Sequence, residues 1–280
     1  RLFVDGVQVF TRWNQHGYTA DYFTQNLSVG DHEFVLEYYE DGGEARVAFT
    51  SRLPKGDPTV FGDKVWNVYG YVNNDLTLTN TRYAGYYVDP NLNIESTTYW
   101  PRAKSPSVAS NWQGALIPDN NFTTVFKRKG FPCGQYQIQR ANYDDAIEIY
   151  IDGTLVFSRS GWDNNPALIN NGALYKLNSN SRIEIRLRED GGDANLGINF
   201  ITKDLVYNGT GTLGNGSSVV INANTTLTSD LTVCSCTINP NYTLTVPTNV
   251  TLTVDEDINV GTGGKLLIQS GGALLQTTTS

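Results

Sequence analysis

The chain has 280 residues, 39% of them hydrophobic, and a formal net charge of −8, so it is long enough for about two domains and apolar enough to fill hydrophobic cores. An acidic surface repels the phosphates of nucleic acids and of anionic lipids, which excludes nucleic acid as an expected partner. No apolar run approaches the ~18 residues that a membrane helix needs, so we expect no membrane insertion.

Strands are the only elements that the sequence predicts with any regularity. Apolar residues alternate with polar ones, whereas the 3.6-residue period of an amphipathic helix is missing. Tyr, Val, Thr, Asn and Gly dominate between turns of Gly, Pro and Asx residues, as in sandwiches, barrels and solenoids. The fold is therefore expected to be all-β. The alternating apolar sets are Phe34, Leu36 and Tyr38, then Ile147, Ile149 and Ile151, then Ile183, Ile185 and Leu187.

The first predicted strands recur later in the chain. "RLFVDGVQVFTRW" at 1–13 matches "EIYIDGTLVFSRSGW" at 148–162, each with a two-residue Asp-Gly hairpin turn. "EFVLEYYEDGGEARVAF" at 33–49 matches "RIEIRLREDGGDANLGINF" at 182–200. The first copy has only four residues before Asp5, and the chain contains no Met, so we expect a piece of a longer protein that begins inside a module.

These segments carry a resemblance to a known family. "QYQIQRANYDDAIEIYIDGTLVF" and "LSVGDHEFVLEYYEDGGEARVAF" resemble the core and the closing signature of the protective-antigen fourteen-kilodalton domain. With "GFPCGQYQI" and the aromatic entry "VWNVYGYVNN", the second copy resembles repeats of giant surface adhesins of Bacteroidetes that are exported by type IX secretion. The resemblance implies a truncated module at 1–52, a complete β-sandwich or barrel module at 60–203, and an extracellular or cell-surface location.

Residues 205–280 differ from both copies. They are poor in charge, with short β segments such as "YTLTV" and "VTLTV" broken by Asn, Pro and Gly. Such segments are typical of the rungs of a parallel β-helix, a β-solenoid in which each coil buries its apolar face against the next. A sandwich of short strands is the alternative. On either interpretation we expect a stalk or connector.

Two adjacent carboxylates, Asp144 and Asp145, lie between two predicted strands of the second copy. As ordinary turn formers they could simply end one strand and begin the next. Alternatively, their mutual repulsion would be relieved by a cation, and a Ca²⁺ site needs such a cluster of oxygen ligands. In lectins of the resembled family an Asp pair binds Ca²⁺, a later loop completes the site, and a sugar diol ligates the ion. Here that loop would supply Asp190, Asp193 and Asn195.

The loop "GWDNNPALINN" that follows the second hairpin is a second candidate site. Trp162 could form a platform for a ligand, with Asp163, Asn164 or Asn165 as hydrogen-bond partners. The alternative is a polar surface loop with one core aromatic residue.

The three cysteines, Cys133, Cys234 and Cys236, leave one thiol over. Residues two apart in a strand have Cα atoms ~6.5 to 7 Å apart, at the limit of disulfide reach. We expect at most one disulfide, between Cys234 and Cys236, with Cys133 free or bonded to something outside this sequence.

Enzyme activity is not expected. The only histidines, His16 and His32, have turn residues as their nearest carboxylates in the sequence, which gives no support to a Ser-His-Asp or zinc site. The acidic residues cluster in turns rather than across a substrate cleft. The sequence thus predicts a non-enzymatic adhesin or surface-fibre protein whose second module binds a glycan or another cell-surface ligand with Ca²⁺. The alternatives are a spacer repeat that contacts only neighbouring repeats, and an accessory module of a secreted polysaccharide-degrading enzyme.

Overall fold

The computed structural model describes residues 1–21, 23 and 25–277, and their regular secondary structure is almost entirely β, which confirms the predicted class. Among them, no helix is long and apolar enough to cross a membrane. Three short 3₁₀ helices cover Ser96–Thr98, Pro106–Val108 and Ile169–Gly172. The strands are β1 (Leu2–Val4), β2 (Val7–Phe10), β3 (Phe34–Leu36), β4 (Gly62–Asp63), β5 (Trp66–Val72), β6 (Arg82–Asp89), β7 (Ile94–Glu95), β8 (Gln113–Gly114), β9 (Phe122–Lys129), β10 (Gly134–Asp144), β11 (Ala146–Ile151), β12 (Thr154–Arg159), β13 (Ala167–Leu168), β14 (Tyr175–Leu177), β15 (Arg182–Glu189), β16 (Asn195–Thr202), β17 (Leu205–Tyr207), β18 (Val219–Ile221), β19 (Thr225–Thr226), β20 (Leu231–Val233), β21 (Cys236–Ile238), β22 (Thr243–Val246), β23 (Thr251–Val254), β24 (Ile258–Val260), β25 (Lys265–Ile268) and β26 (Ala273–Gln276).

The first sheet has the order β2-β1-β3, and the second copy has β12-β11-β15 in the same antiparallel arrangement. The two hairpins also share their register. Val4 lies opposite Val7 in the first hairpin, and Ile151 lies opposite Thr154 in the second. The register also shifts at the matching place in each hairpin, between Leu2 and Phe3 and between Ile149 and Tyr150.

The matching turns are also built alike. Asp5 and Asp152 have φ values of 51° and 48°, a left-handed conformation that Asp tolerates better than most residues. Their Oδ1 atoms accept the backbone N–H of Glu33 at 2.9 Å and of Arg182 at 2.8 Å. The two hairpins and their turns are therefore built alike, whereas residues 44–49, which align with β16, form no strand.

A sandwich of two sheets forms the body of residues 60–203. The larger sheet has eight strands in the order β12-β11-β15-β9-β5-β6-β8, with β4 pairing beside β9. The smaller sheet has the order β13-β10-β16-β7, with β14 also paired to β10. Alternate residues of β11 and β15 are buried between the sheets, because side chains of a strand alternate between its two faces. The largest members of this core are Trp66, Trp100, Tyr87, Tyr136, Tyr143 and Phe126.

Residues 205–277 form three parallel sheets, with the orders β17-β18-β21-β24, β19-β22-β25 and β20-β23-β26. Each sheet takes every third strand from β18 onward, so successive strands of the chain lie in different sheets. The enclosed core is apolar, and Leu244, Val246, Leu252 and Val254 are fully buried in it. Asn222 donates from its side chain to Asn208 at 3.1 Å and accepts from Asn239, so that a ladder of amides follows one corner of the stack.

The expected pairing of the cysteines is wrong. Cys133 and Cys234 form the disulfide, with Cα atoms 5.2 Å apart, and Cys236 is a buried free thiol. Cys234 follows β20 at a corner of the chain and Cys236 begins β21, so the two do not share the extended strand that the expectation assumed. The bond joins residues 101 apart and ties the sandwich to the parallel sheets. Glu256 Oε1 adds to this junction by accepting the backbone N–H of Cys133 at 2.9 Å.

Candidate cation and ligand site

The Asp pair lies where the chain crosses from one sheet of the sandwich to the other. β10 of the smaller sheet ends at Asp144, and β11 of the larger sheet begins at Ala146. A second crossing runs beside it in the opposite direction, from the end of β15 at Glu189 to the start of β16 at Asn195. Asp144 lies directly opposite Asn195 in the smaller sheet, so the two crossings meet at one end of the sandwich.

Asp144 and Asp145 are both half-buried, and the peptide bond between them is cis. Burial, a hydrogen bond between the two carboxyl groups and the charge of Asp145 raise the pKa of Asp144 to about 7. Asp145 is fixed by the neighbouring crossing, because its Oδ2 accepts the backbone N–H of Asp190 at 2.7 Å and its own N–H donates to the Arg188 carbonyl at 2.8 Å. The pair is therefore held in place, and within the described chain neither Asp forms a salt bridge, although the charge of Arg102 partly offsets the raised pKa of Asp144.

Glu189 is a third carboxylate of this site, and the sequence analysis missed it. It is fully buried, and neither of its side-chain oxygens has a hydrogen-bond partner among the described residues. Burial and the charges of Asp145, Asp144, Asp190 and Asp193 raise its pKa to about 8. Leaving a buried carboxyl group unmatched costs free energy, so the native chain needs a reason to keep it.

The Asn195 side chain also lacks hydrogen-bond partners, as the Glu189 side chain does. It is fully buried, and both its Oδ1 and its Nδ2 lack a partner among the described residues. Asn142, two residues before Asp144, has a buried Oδ1 in the same condition. Buried polar atoms are nearly always paired with protein or ordered water, so these unpaired oxygens mark a candidate place for a bound ligand or water.

The two remaining residues of the predicted set lie at the rim. Asp190 is exposed, and its carboxylate already accepts from Asn74 at 2.7 Å and from Arg188 at 2.9 Å. Asp193 is also exposed, and its charge contributes to the raised pKa values of Asp144 and Glu189.

Among the residues that the structure describes, no three His, Cys, Asp or Glu side chains are gathered closely enough to hold a metal ion. The donor types nevertheless suit one, since two half-buried Asp residues lie near enough to Glu189 for their charges to raise its pKa, and Asn195, which pairs with Asp144, has an amide oxygen without a partner among the described residues. Binding would require the hydrogen bond between Asp144 and Asp145 to give way to ion contacts, with loss of the proton shared by the pair and of the proton on Glu189.

The loop after β12 is attached directly to this end of β10. Tyr143 and Asp163 exchange both backbone hydrogen bonds, at 3.1 and 3.0 Å, one residue before Asp144. The Asp163 carboxylate is engaged within the protein, with Arg140 at 2.7 Å and the Asn165 backbone N–H at 2.9 Å, so it holds the loop in shape. Trp162 has 66% of its surface exposed, which excludes the core role that was its alternative interpretation.

Asn164 and Asn165 are exposed in the same loop. Asn165 is partly engaged, because its carbonyl accepts from Arg140 at 3.0 Å and its side-chain amide contacts Asp163 at 3.2 Å. The freely presented groups of the loop are therefore the Trp162 ring and the Asn164 amide.

Both histidines make their contacts within residues 1–33, where His16 contacts the Gly17 carbonyl at 2.8 Å. His32 contacts the Asp5 carboxylate at 2.7 Å, and this hydrogen bond raises the pKa of the imidazole. The pair belongs to the first hairpin turn, where Asp5 also holds the backbone of Glu33.

No family model matches the chain, and no curated protein matches it. Among solved structures, the PA14 sugar-binding domain from an RTX adhesin is 13% identical, covers 50% of this chain and 91% of its own, and has a TM-score of 0.37. The PA14 domain of the MpAFP antifreeze protein is 14% identical, with 57% and 92% coverage and a TM-score of 0.34. The Epithelial Adhesin 9 A domain from Candida glabrata, in complex with Galβ1-3GlcNAc, is 15% identical, with 54% and 88% coverage and a TM-score of 0.33. At these TM-scores we base the proposed function on the residues of this chain.

Proposed function

We propose that residues 60–203 form a protective-antigen-type module that binds a carbohydrate through Ca²⁺. The observation that carries the proposal is the set of buried, unpartnered oxygens on Glu189 and Asn195 beside the half-buried Asp144 and Asp145. A cation at this point would provide a partner for each of them.

The chemistry of the donors favours Ca²⁺ over other cations. All candidate ligands are carboxylate or amide oxygens, and no thiol or imidazole is among them, which disfavours zinc and copper. The ligands come from two separate crossings of different sheets, which suits the larger and more variable coordination shell of Ca²⁺ better than the strict octahedron of Mg²⁺. Three carboxylates also supply enough negative charge to hold a divalent ion.

The exposed side of the site is where a saccharide would bind. Asp144 and Asp145 are only half-buried, so an ion between them would retain an accessible face. Hydroxyl oxygens of a sugar diol can complete the shell of such an ion, as the family resemblance implies. The exposed Trp162 ring lies on the loop joined to Tyr143 and would pack against the apolar face of the sugar.

The remainder of the chain is proposed to present this module. We infer an extracellular adhesin or surface fibre of the type IX-secreted Bacteroidetes kind, in which residues 1–52 are the second half of a preceding tandem module and residues 205–280 form a β-solenoid stalk. Three parallel sheets built from every third strand support the stalk. The disulfide between Cys133 and Cys234 supports an oxidising compartment.

A purely structural role is the main alternative, and one observation favours it. The disulfide and the Glu256 contact to Cys133 fasten the sandwich to the parallel sheets, as a spacer that transmits force between repeats would require. The third possibility, an accessory module of a polysaccharide-degrading enzyme, would be distinguished by a catalytic domain elsewhere in the parent protein.

Calorimetric titration of chelator-treated protein with Ca²⁺ tests the proposal. We expect one site in the wild type, strong loss of affinity in Asp144→Asn and Asn195→Ala, and no change in Asp41→Asn. Asp41 is the matched control because it occupies the position of Asp190 in the first copy, which has no Asp pair. If the wild type binds no Ca²⁺, the spacer becomes the better account.

A further inference from the structure

A groove with two arginines adjoins the proposed ion site. Its volume is about 690 Å³, within the range of small-molecule sites. It begins at Ala146, the residue after Asp145, and Arg188 lies opposite Ala146 in the register of β11 and β15. We call it the arginine groove; its walls include Leu76, Ala146, Val156, Phe157, Arg159 and Arg188.

The charge of the groove is opposite to that of the protein. The chain carries a net charge of −8, whereas the residues that line the groove include two arginines and no carboxylate. Arg159 is exposed, and its side chain makes no hydrogen bond or ion pair with any described residue. Arg188 gives one N–H to Asp190 at 2.9 Å, but its Nε is buried and has no partner within the described chain. The groove therefore offers the exposed Arg159 guanidinium to a ligand, and Arg188 adds positive charge beside it although Asp190 already engages one of its N–H groups.

We propose that the arginine groove binds the anionic group of an acidic saccharide, and this inference rests on the proposed function. A guanidinium group pairs with carboxylate or sulfate oxygens through parallel N–H donors, which a neutral sugar cannot match. Val156 and Phe157 provide half-buried apolar surface for the sugar ring, and the Ser158 and Ser160 hydroxyls lie in the same wall. A class of ligand with an anionic substituent, apolar ring face and hydroxyls fits all of these groups.

The groove and the ion site are close enough to share one ligand. The Asp145 N–H donates to the Arg188 carbonyl at 2.8 Å, and the Asp145 carboxylate and the Arg188 guanidinium both contact Asp190. A saccharide with a diol on the ion would thus place its next substituent or residue over Ala146. A bound divalent ion would also reduce the repulsion between the Asp cluster and an anionic ligand.

The test compares neutral, carboxylated and sulfated saccharides on an array in excess Ca²⁺, followed by titration with glucuronate, galactose sulfate and galactose. We expect wild-type protein to prefer anionic ligands, and Arg159→Gln to lower their affinity by about tenfold, as for loss of a charged hydrogen bond, while galactose binding stays the same. Arg182→Gln is the control: it removes the same charge from the same strand as Arg188, six residues and about 20 Å away. The carboxylated and sulfated arms show which anion the groove prefers.

The failure of this inference can be separated from that of the proposed function. If the protein binds neutral and anionic saccharides equally, the arginine groove does not bind the anionic group. An anion preference that Arg159→Gln leaves intact would lead to the same conclusion. Either result would leave the proposed Ca²⁺ module standing. Arg188→Gln serves as a second variant, with thermal melting to establish that both variants are folded. Absence of Ca²⁺ binding in the titration above would remove the proposed function itself.

Discussion

Replacing Glu189 by Gln should stabilise the protein in the absence of Ca²⁺. The wild-type carboxyl group is fully buried without a partner, and its pKa is raised from 4.5 to about 8. Glutamine has nearly the same shape and no proton to retain. The variant therefore removes the cost of keeping this group neutral without making a cavity.

The size of the effect follows from proton linkage. A group whose pKa is higher in the folded state binds more protons there, so the stability of the wild type falls as pH rises from about 4.5 to 8. At pH 7 the unfolded chain has lost this proton and the folded chain has kept it. The free energy of unfolding of the wild type is therefore ~3 kcal/mol lower at pH 7 than below pH 4, at 1.36 kcal/mol per pKa unit. At pH 5 the same calculation gives a loss of wild-type stability of only ~1 kcal/mol. The gain from Glu189→Gln should thus increase with pH and level off above pH 8.

Urea unfolding in EDTA at pH 5, 6, 7 and 8 measures this difference directly. Glu184→Gln is a control on the same strand, because Glu184 is ion-paired with Arg186 at 2.6 Å and Lys127 at 3.4 Å. That variant should lose up to ~1 kcal/mol, as expected for partly screened pairs. If Glu189→Gln leaves stability at pH 7 unchanged or lowers it, the carboxylate is solvated or partnered, and the main support for a cation site is lost.

Three further outcomes are expected. Ca²⁺ at a hundredfold excess over its dissociation constant should add about 2.7 kcal/mol of stability, so EDTA should lower the melting temperature of wild type and of Asp41→Ala but not of Asp145→Ala. An EDTA response in Asp145→Ala would contradict the assignment. Reducing the bond between Cys133 and Cys234, which are 101 residues apart, should cost up to ~5 kcal/mol in the chain-entropy model, and melting with and without reductant in wild type and Cys133→Ala measures this. Trp162→Ala should weaken saccharide binding without changing the melting temperature, because the side chain is 66% exposed; a large fall in stability would show a packing role instead.

The strands could be predicted because local signals agree with one another in this sequence. The Asp-Gly pairs mark hairpin turns by themselves, since Asp5 and Asp152 adopt the positive φ that such a turn requires. Period-two alternation then fixes which face of β15 is buried. Sheet order and the partners of β10 could not be predicted in this way, because they depend on contacts between residues far apart in the chain.

The site was only partly predictable for the same reason. The adjacent carboxylates of Asp144 and Asp145 were a visible signal, but Glu189 was hidden among the acidic residues of a turn. A signal was available: the buried positions Ile183, Ile185 and Leu187 continue in steps of two to Glu189, so the alternation places a carboxylate on the inward face. A charged residue at an inward-facing position of an alternating strand is thus a more specific indication of a site than a charged residue in a turn.

The disulfide shows where sequence spacing fails. The expectation for Cys234 and Cys236 assumed one continuous strand, whereas the chain turns a corner between β20 and β21. The corner leaves Cys236 inside the core of the parallel sheets and brings Cys234 to Cys133. Pairing depended on how the sandwich and the parallel sheets pack together, which short-range patterns do not encode.

The position of the candidate ion suggests why one site would serve both stability and binding. Asp144 and Asn195 belong to the smaller sheet, whereas Glu189 ends a strand of the larger one. An ion coordinated by all three would link the two sheets at the end of the sandwich where the chain crosses between them. The same end carries the Trp162 loop and the arginine groove, so fixing the two crossings would also fix the groups that contact a ligand. Without the ion, the unpaired buried oxygens of Glu189 and Asn195 should leave these crossings less stable, and ligand affinity should fall together with stability.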